Sequence, residues 1–381
     1  MGAELKRRAV IIGGSMGGLF AAAFLQRIGW EAHVYERTAD DLASRGAGLG
    51  THDALLEGLR ALGIQTDERL GVLVRDRICL ARDGSVVAKR TLPQVMTHWA
   101  RIYEALRPLV DRAHFRAGHN FTGLRQTGGE VVAQFDNGAE AAADLLIAAD
   151  GLRSTVRPQL LPGVQPRYAG YVGWRGTVRG IDLPPEYYFG LPGSEMMLTY
   201  PVPTGEWNYV WYRPTTEREL ADLCTDATGQ CHGTAIAPPL IRPELAAKLK
   251  RDARELLAPA LATIVEGSQP FFQAIFDLES PRVAHGRVVL MGDCAFVARP
   301  HVGMGVTKAS LDARCLARSL EVSKDLDTAL ERYDGMRREF GRWCVQRSRA
   351  IGAYIERREL PHPEQVLSEV GAVRADIPMS Y

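Results

Sequence analysis

Between Arg8 and Glu36 the chain runs apolar strand, glycine-rich turn, helix and second strand, an order that few folds accept. Ala9-Val10-Ile11-Ile12 is a short continuous apolar run, as in a parallel strand covered on both faces. Gly13 to Gly18 make the turn, Leu19 to Ile28 read as a helix closed by Gly29, and Ala32-His33-Val34-Tyr35-Glu36 is the second strand. Gly13 allows the sharp exit from the strand, and Gly18 lets the helix close on the sheet. The amides of the helix N-terminus then face a pyrophosphate. Ser15, followed by Met16, stands where a G-x-G-x-x-G loop has its second glycine. Glu36 ends the second strand 18 residues after Gly18, where a carboxylate can accept both hydroxyls of an adenosine ribose. Arg37 adjoins it in the same expected site. This loop alone leaves FAD and NAD both open.

Two further loops narrow the choice. Asp150-Gly151 follows the buried run Leu145-Leu146-Ile147-Ala148-Ala149 and precedes Arg153, Ser154 and Arg157. Asp293 follows a second buried run, Arg287 to Met291, and leads through Pro300, His301, Gly303, Met304 and Gly305 into a helix. A carboxylate at that strand end can bind a ribityl hydroxyl. Bare amides at the helix start can hold the electron-rich edge of a reduced flavin. A dinucleotide loop plus two more cofactor loops calls for a ligand longer than one nucleotide.

Composition sets the outer limits. The 381 residues carry 46 basic and 45 acidic side chains, a formal charge of +1, so no net field recruits nucleic acid or an anionic membrane. No stretch approaches the ~20 apolar residues of a membrane span, and the start lacks the h-region of a signal peptide. The six cysteines form no CxxC pair, which points to a reducing, cytoplasmic setting with free thiols. Cys224, Cys231 and His232 lack a fourth ligand, so no metal is expected. Residues 165–213 hold most of the aromatic weight in alternating runs, the pattern of an antiparallel sheet. The expected architecture is α/β: a Rossmann-like FAD-binding domain from residues 1–160 plus 282–355, with a mostly antiparallel β substrate domain, 161–281, inserted between them. Residues 356–381 form a C-terminal tail, peripheral beyond Pro361.

The glycine loop, the Asp150-Gly151 to Arg157 motif and the Gly292-Asp293 to Gly305 motif stand in the order and approximate spacing of a known family. The chain resembles the single-component FAD-dependent aromatic hydroxylases, the class A flavoprotein monooxygenases of the 4-hydroxybenzoate hydroxylase type. The strings Tyr168 to Gly176 (YAGYVGWRG) and ARPHVGMG look like the branch of 2,6-dihydroxypyridine 3-hydroxylase and related enzymes of hydroxypyridine breakdown. Three departures stand out. Phe296 occupies the place of a common histidine, Trp99 that of a common arginine, with Arg101 two residues on, and contacts through Arg45 and Arg101 lack a clean counterpart.

The resemblance implies FAD as cofactor, NADH or NADPH as transient electron donor, and dioxygen added at flavin C4a to give a hydroperoxide. Its distal oxygen passes to an electron-rich ring, in some cases with loss of a ring substituent. A small aromatic or hydroxypyridine-like substrate is the expected partner, and a homodimer the commonest assembly for such an enzyme. His301 is the first candidate for substrate contact and catalysis. Tyr200, Tyr209 and Trp211 are candidate walls of the substrate site, although plain sheet packing also explains them. Arg175 reads as a structural or interdomain residue. The alternatives are another flavin oxidoreductase on the same fold and a non-catalytic flavin-binding redox sensor. A halogenase is disfavoured because no WxWxIP stretch is present.

Overall fold

The computed structural model describes residues 7–39, 42 and 48–371. Among these residues the strands form three sheets. The first is six-stranded, in the order Ala284–His285, Val288–Leu290, Leu145–Ala148, Arg8–Ile12, Glu31–Glu36, Phe115–Ala117. Its neighbours are parallel except for the terminal hairpin. Ala9–Ile12 and Leu145–Ala148 are wholly apolar because one core encloses them. That core also holds the Met16–Arg27 and Gly305–Val322 helices and the inner residues of a three-stranded meander over 121–143. The meander's first turn is at Gly128-Gly129, between Phe121–Thr127 and Glu130–Phe135.

The second sheet has nine strands, and its parity decides where the chemistry can sit. Its order is Phe296–Val297, Phe271–Glu279, Arg167–Val178, Trp207–Pro214, Met196–Pro201, Tyr187–Gly190, Val72–Leu80, Val86–His98, Gly48–Gly50. Successive residues of a strand point to opposite faces. One face carries Tyr171, Tyr187, Leu198, Tyr200, Val210 and Tyr212, in the core that includes Phe340, Cys344, Ile351 and Ile355 of the long C-terminal helix. The other carries Trp174, Tyr188, Met197, Trp207, Tyr209 and Trp211. That face is covered by the Pro243–Leu256 and Pro259–Gly267 helices.

Three strands of this sheet come from residues 48–98 and one from 296–297, so the sheet reaches beyond the segment 161–281. The tie is a parallel pairing of Tyr187–Gly190 with Val72–Leu80, Tyr187 opposite Arg77. Apolar side chains on these early strands, Val74, Cys79, Ala88 and Met96, bury in the second core rather than the first.

The tail is not peripheral up to residue 371. The Pro363–Glu369 helix buries Val366 and Leu367 in the second core, with Val370 following. Buried Arg77 donates to the carbonyls of Leu367 and Val370 at the end of that helix. The long C-terminal helix is a single 32-residue element, Leu326–Arg357. No helix among the described residues is long and apolar enough to cross a membrane.

Candidate active site

A cleft of about 400 Å³ runs between the N-terminal ends of the Met16–Arg27 and Gly305–Val322 helices. All three loops singled out in the sequence line it: Gly13, Ser15 and Met16, then Asp150, Gly151 and Arg153, then Asp293 and Gly305. Gly13 holds φ at 107°, and a Cβ there would lie 2.5 Å from the Ala149 carbonyl oxygen. A Cβ on Gly18 would overlap the Gly13 carbonyl oxygen, so the helix can approach the strand only with glycine at that position. Ser15 is the helix N-cap, and its hydroxyl makes no cap bond, which leaves it and the first-turn amides turned to the cleft.

Glu36 lines the same cleft and is anchored from both sides. Its Oε2 accepts the Gly14 amide at 2.7 Å and its Oε1 the Thr38 amide at 2.9 Å. Each oxygen keeps a further lone pair for a diol. Arg37 also lines the cleft. Trp99 lines it as well, stacked on Tyr103 with ring centroids 5.1 Å apart. Arg101 sits at the surface beside Glu104, 3.7 Å away, and is not part of the lining. Arg45 lies outside the described residues.

Asp150 turns one oxygen back on its own loop. Oδ2 accepts the Thr155 amide at 2.7 Å and the Val156 amide at 3.2 Å, while Oδ1 is buried without a partner. Buried Arg157 clamps this loop to the next by donating to the carbonyls of Leu152, 2.8 Å, and Cys294, 3.1 Å. The Gly292 turn is fixed from below. Its amide donates to Asp312 Oδ2 at 2.9 Å, and Asp312 Oδ1 receives Arg337 Nε at 2.7 Å. Asp293 faces the cleft beside buried Lys308, Nζ 3.7 Å away. Phe296, which replaces the expected histidine, is a packing residue. A Cβ on Gly341 of the long helix would overlap its ring, so the pair interlocks in the core.

A second cavity of about 250 Å³ adjoins the first and shares Asp293, Gly305 and Val306 with it. Its walls are Tyr187, Leu198, Tyr200, Val210 and Tyr212 from the sheet, Pro300, His301, Gly303 and Met304 from the loop, and Gln94, Arg175, Val370 and Gly371. His301 is 1 % exposed. Its Nε2 is hydrogen-bonded to the Tyr171 hydroxyl at 2.7 Å, its Nδ1 has no partner, and its ring meets Tyr212 edge-on at 4.4 Å. Burial, with Arg299 and Arg175 nearby, depresses its pKa to about 3, so the ring is neutral.

Of the expected sheet walls, Tyr200 lines this cavity and Tyr209 and Trp211 do not. On the Trp207–Pro214 strand the cavity takes Val210 and Tyr212. The odd-numbered rings turn to the covering helices, and Tyr209 is hydrogen-bonded to Ser268 there at 3.2 Å. Arg175 reaches the cavity because it shares parity with Tyr171 and pairs opposite Val210. Sequence reasoning also passed over His52. Its Nδ1 is bonded to Thr307 at 2.9 Å and its Nε2 to the Gly371 carbonyl at 3.2 Å, which fixes the Gly303 turn between them. Gly371 in turn donates its amide to the His301 carbonyl at 2.7 Å. A histidine directly before a helix start was the only signal for His52, and a backbone carbonyl at Gly371 gave none. In the 224–232 region His232 is paired with Asp226 at 2.8 Å.

Comparison with known proteins agrees with this geometry. A family model described as FAD binding domain matches residues 6–348. The chain is 28% identical, over an alignment 395 positions long, to 2,6-dihydroxypyridine 3-monooxygenase of Paenarthrobacter nicotinovorans, covering 97% of each chain. It is 30% identical over 329 residues to a salicylate hydroxylase of Pseudomonas putida, covering 74% of this chain and 69% of that one. The solved structure of 2,6-dihydroxypyridine-3-hydroxylase from Arthrobacter nicotinovorans superposes with a TM-score of 0.90 at 27% identity, over 99% of both chains. The helix-end amides, the anchored Glu36 and the paired carboxylate loops suit an extended dinucleotide, and FAD is the cofactor. The chain belongs to the FAD binding domain family and is an FAD-dependent monooxygenase of the aromatic-hydroxylase type.

Proposed function

We propose that the chain hydroxylates a small, electron-rich aromatic or N-heteroaromatic ring of the hydroxypyridine kind. The net reaction is ring–H plus dioxygen, NAD(P)H and a proton, giving ring–OH, water and NAD(P)⁺. The observation that carries this reading is the ring-walled cavity that adjoins the cofactor cleft at Asp293, Gly305 and Val306. At about 250 Å³ it exceeds the ~150 Å³ cavity that admits benzene, and it lies below the several hundred Å³ of drug-sized sites. One substituted ring fits that interval. The names of the curated relatives, a dihydroxypyridine monooxygenase and a salicylate hydroxylase, support the same substrate class.

Bound FAD, reduced by NAD(P)H, supplies the electrons and activates the dioxygen. The residues of this chain bind and orient around it. Ser15 and the first-turn amides hold the pyrophosphate, Glu36 the ribose and Asp293 the ribityl chain. The amides at Met304 and Gly305, at the start of the Gly305–Val322 helix, would face the electron-rich edge of a bound flavin. Tyr187, Tyr200 and Tyr212 present apolar faces with hydroxyl tips to the substrate. His301, held neutral, acts through a hydrogen bond rather than as a cation. Its anchored Nε2 leaves Nδ1 as the free ring atom.

The test is NADH consumption by the purified flavoprotein under air, with hydroxypyridines, hydroxybenzoates and purines added in turn and peroxide followed alongside. Stimulation by a hydroxypyridine with little peroxide supports the reading. If no ring stimulates oxidation while FAD remains bound, the substrate class is wrong.

A further inference from the structure

Arg175 is a largely buried cation with no counter-ion among the described residues. Its residue is 9 % exposed, and its Nε is buried with no acceptor. No carboxylate among the described residues pairs with it. The contrast with its neighbours is sharp. Arg299, which lines the same cavity, is held by Asp277 at 2.8 Å and Glu356 at 2.9 Å. Arg213, further along the adjacent strand, is held by Glu195 at 3.0 Å and Asp252 at 2.7 Å. Asp293 is the one acidic residue lining the ring cavity among the described residues, and it stands beside Lys308.

A guanidinium stays protonated in a protein and is costly to bury unpaired. Such a residue at a cavity wall is placed to receive an anion. The groups around it have one polarity. Tyr187, Tyr200 and Tyr212 are phenols whose ionisation burial opposes, so they remain hydrogen-bond donors. Gln94 is committed elsewhere: its oxygen accepts Arg77 at 2.7 Å and its amide donates to Thr51 and Gly371, both at 2.9 Å. Donors that converge on a cavity without a free carboxylate complement an acceptor-rich, negatively charged guest.

We propose that Arg175 is the anion receptor of the ring cavity, and that the substrate binds there as an aromatic oxyanion with its charged oxygen on the guanidinium. The inference deepens the ring-hydroxylation reading and rests on it for the place where substrate sits. The oxyanion is a ring oxide or a ring carboxylate, and the chemistry of recognition is shared. A ring oxide held this way arrives already in its better electron-donating form, which removes the need for a base inside the cavity.

The experiment measures binding to the oxidised, FAD-loaded protein by equilibrium dialysis. Two matched pairs serve as probes: benzoate against benzamide, and 4-cyanophenol at a pH where it is ionised against 4-cyanoaniline. The native protein is expected to prefer the anion in at least one pair by about 10–100-fold, the range of one charge-assisted hydrogen-bonded contact. Preference in the benzoate pair assigns the site to carboxylates, and preference in the cyanophenol pair assigns it to ring oxides. Arg175→Gln should abolish the preference while binding the neutral partner as before, and Arg175→Lys should keep part of it. FAD content and circular dichroism confirm that each variant is folded.

Equal binding of anion and neutral partner by the native protein overturns the proposal without recourse to any variant. So does a preference that survives in folded Arg175→Gln, or a loss there that is equal for both partners. An anion preference in a protein whose NADH oxidation no ring stimulates keeps this inference and removes the hydroxylase reading. Stimulation without anion preference does the reverse.

Discussion

The Tyr171 hydroxyl and His301 Nε2 lie 2.7 Å apart, both buried, at the seam between the sheet and the loop that opens onto the cofactor. Gly352 of the long helix makes the seam possible, because a Cβ there would stand 2.7 Å from the Tyr171 hydroxyl and 2.9 Å from His301 Nε2. Gly352→Ala should push His301 into the cavity. Substrate KM is expected to rise several-fold, with FAD content unchanged. Tyr171→Phe frees the ring instead, removing about 1 kcal/mol of stability. Steady-state kinetics and thermal melts distinguish the two. A Gly352→Ala enzyme with native KM would show that the seam does not shape the substrate site.

Acidification should destabilise the protein through its buried histidines. His301 and His52 have folded-state pKa values depressed to about 3 and about 4, chiefly by burial. The unfolded chain takes up these protons near pH 6.5, so it binds more protons than the folded chain below that value. Their contribution is complete above pH ~6.5 and declines on the way down, by about 1.4 kcal/mol per pH unit for each histidine until its folded pKa is reached. Melting temperatures measured from pH 7 to pH 5 should fall, and His52→Asn should flatten the slope. An unchanged slope in that variant contradicts the assignment.

The link from Arg337 through Asp312 to the Gly292 amide holds the third cofactor loop from beneath. Asp312→Ala leaves Arg337 buried without its partner, at a cost of about 3–5 kcal/mol. The expected result is a drop of several degrees or more in melting temperature together with faster FAD loss on dilution. Retention of FAD at the native rate would mean that the turn holds its shape unaided.

Gly18→Ala tests the dinucleotide loop. The added methyl cannot coexist with the Gly13 carbonyl oxygen, so the helix must retreat from the strand and carry its amides away from the pyrophosphate. FAD affinity should fall by at least about tenfold, the equivalent of ~1.4 kcal/mol. A Gly18→Ala protein that purifies fully flavinated would count against this placement.

The cofactor half was legible because its signals are local. Gly13 and Gly18 are needed by backbone geometry within one turn, Glu36 ends the second strand, and Asp150 and Asp293 closely follow the short apolar strands Leu145–Ala148 and Val288–Leu290. The substrate half depends on which face of a sheet is covered by what. Trp207 to Tyr212 places aromatic rings on both faces, and alternation alone does not say which face the Pro243–Leu256 and Pro259–Gly267 helices will cover. That is why Tyr200 lines the cavity, Tyr209 and Trp211 do not, and Arg175 was passed over as structural. The strands within 48–98 were hidden by half-exposed, charge-bearing stretches such as Arg75-Asp76-Arg77. Residues 363–371 were hidden because their tie to the fold runs through backbone carbonyls held by Arg77, His52 and Gln94.

The most direct measurement is the fate of isotopically labelled dioxygen. Purified flavoprotein is supplied with NADH, ¹⁸O₂ and the ring that best stimulates NADH use, and the product is weighed by mass spectrometry. One ¹⁸O atom in the ring product, with its partner in water, is the result expected of an aromatic-ring monooxygenase. Label found only in hydrogen peroxide and water, with the ring unchanged, would contradict ring hydroxylation as the activity of this chain.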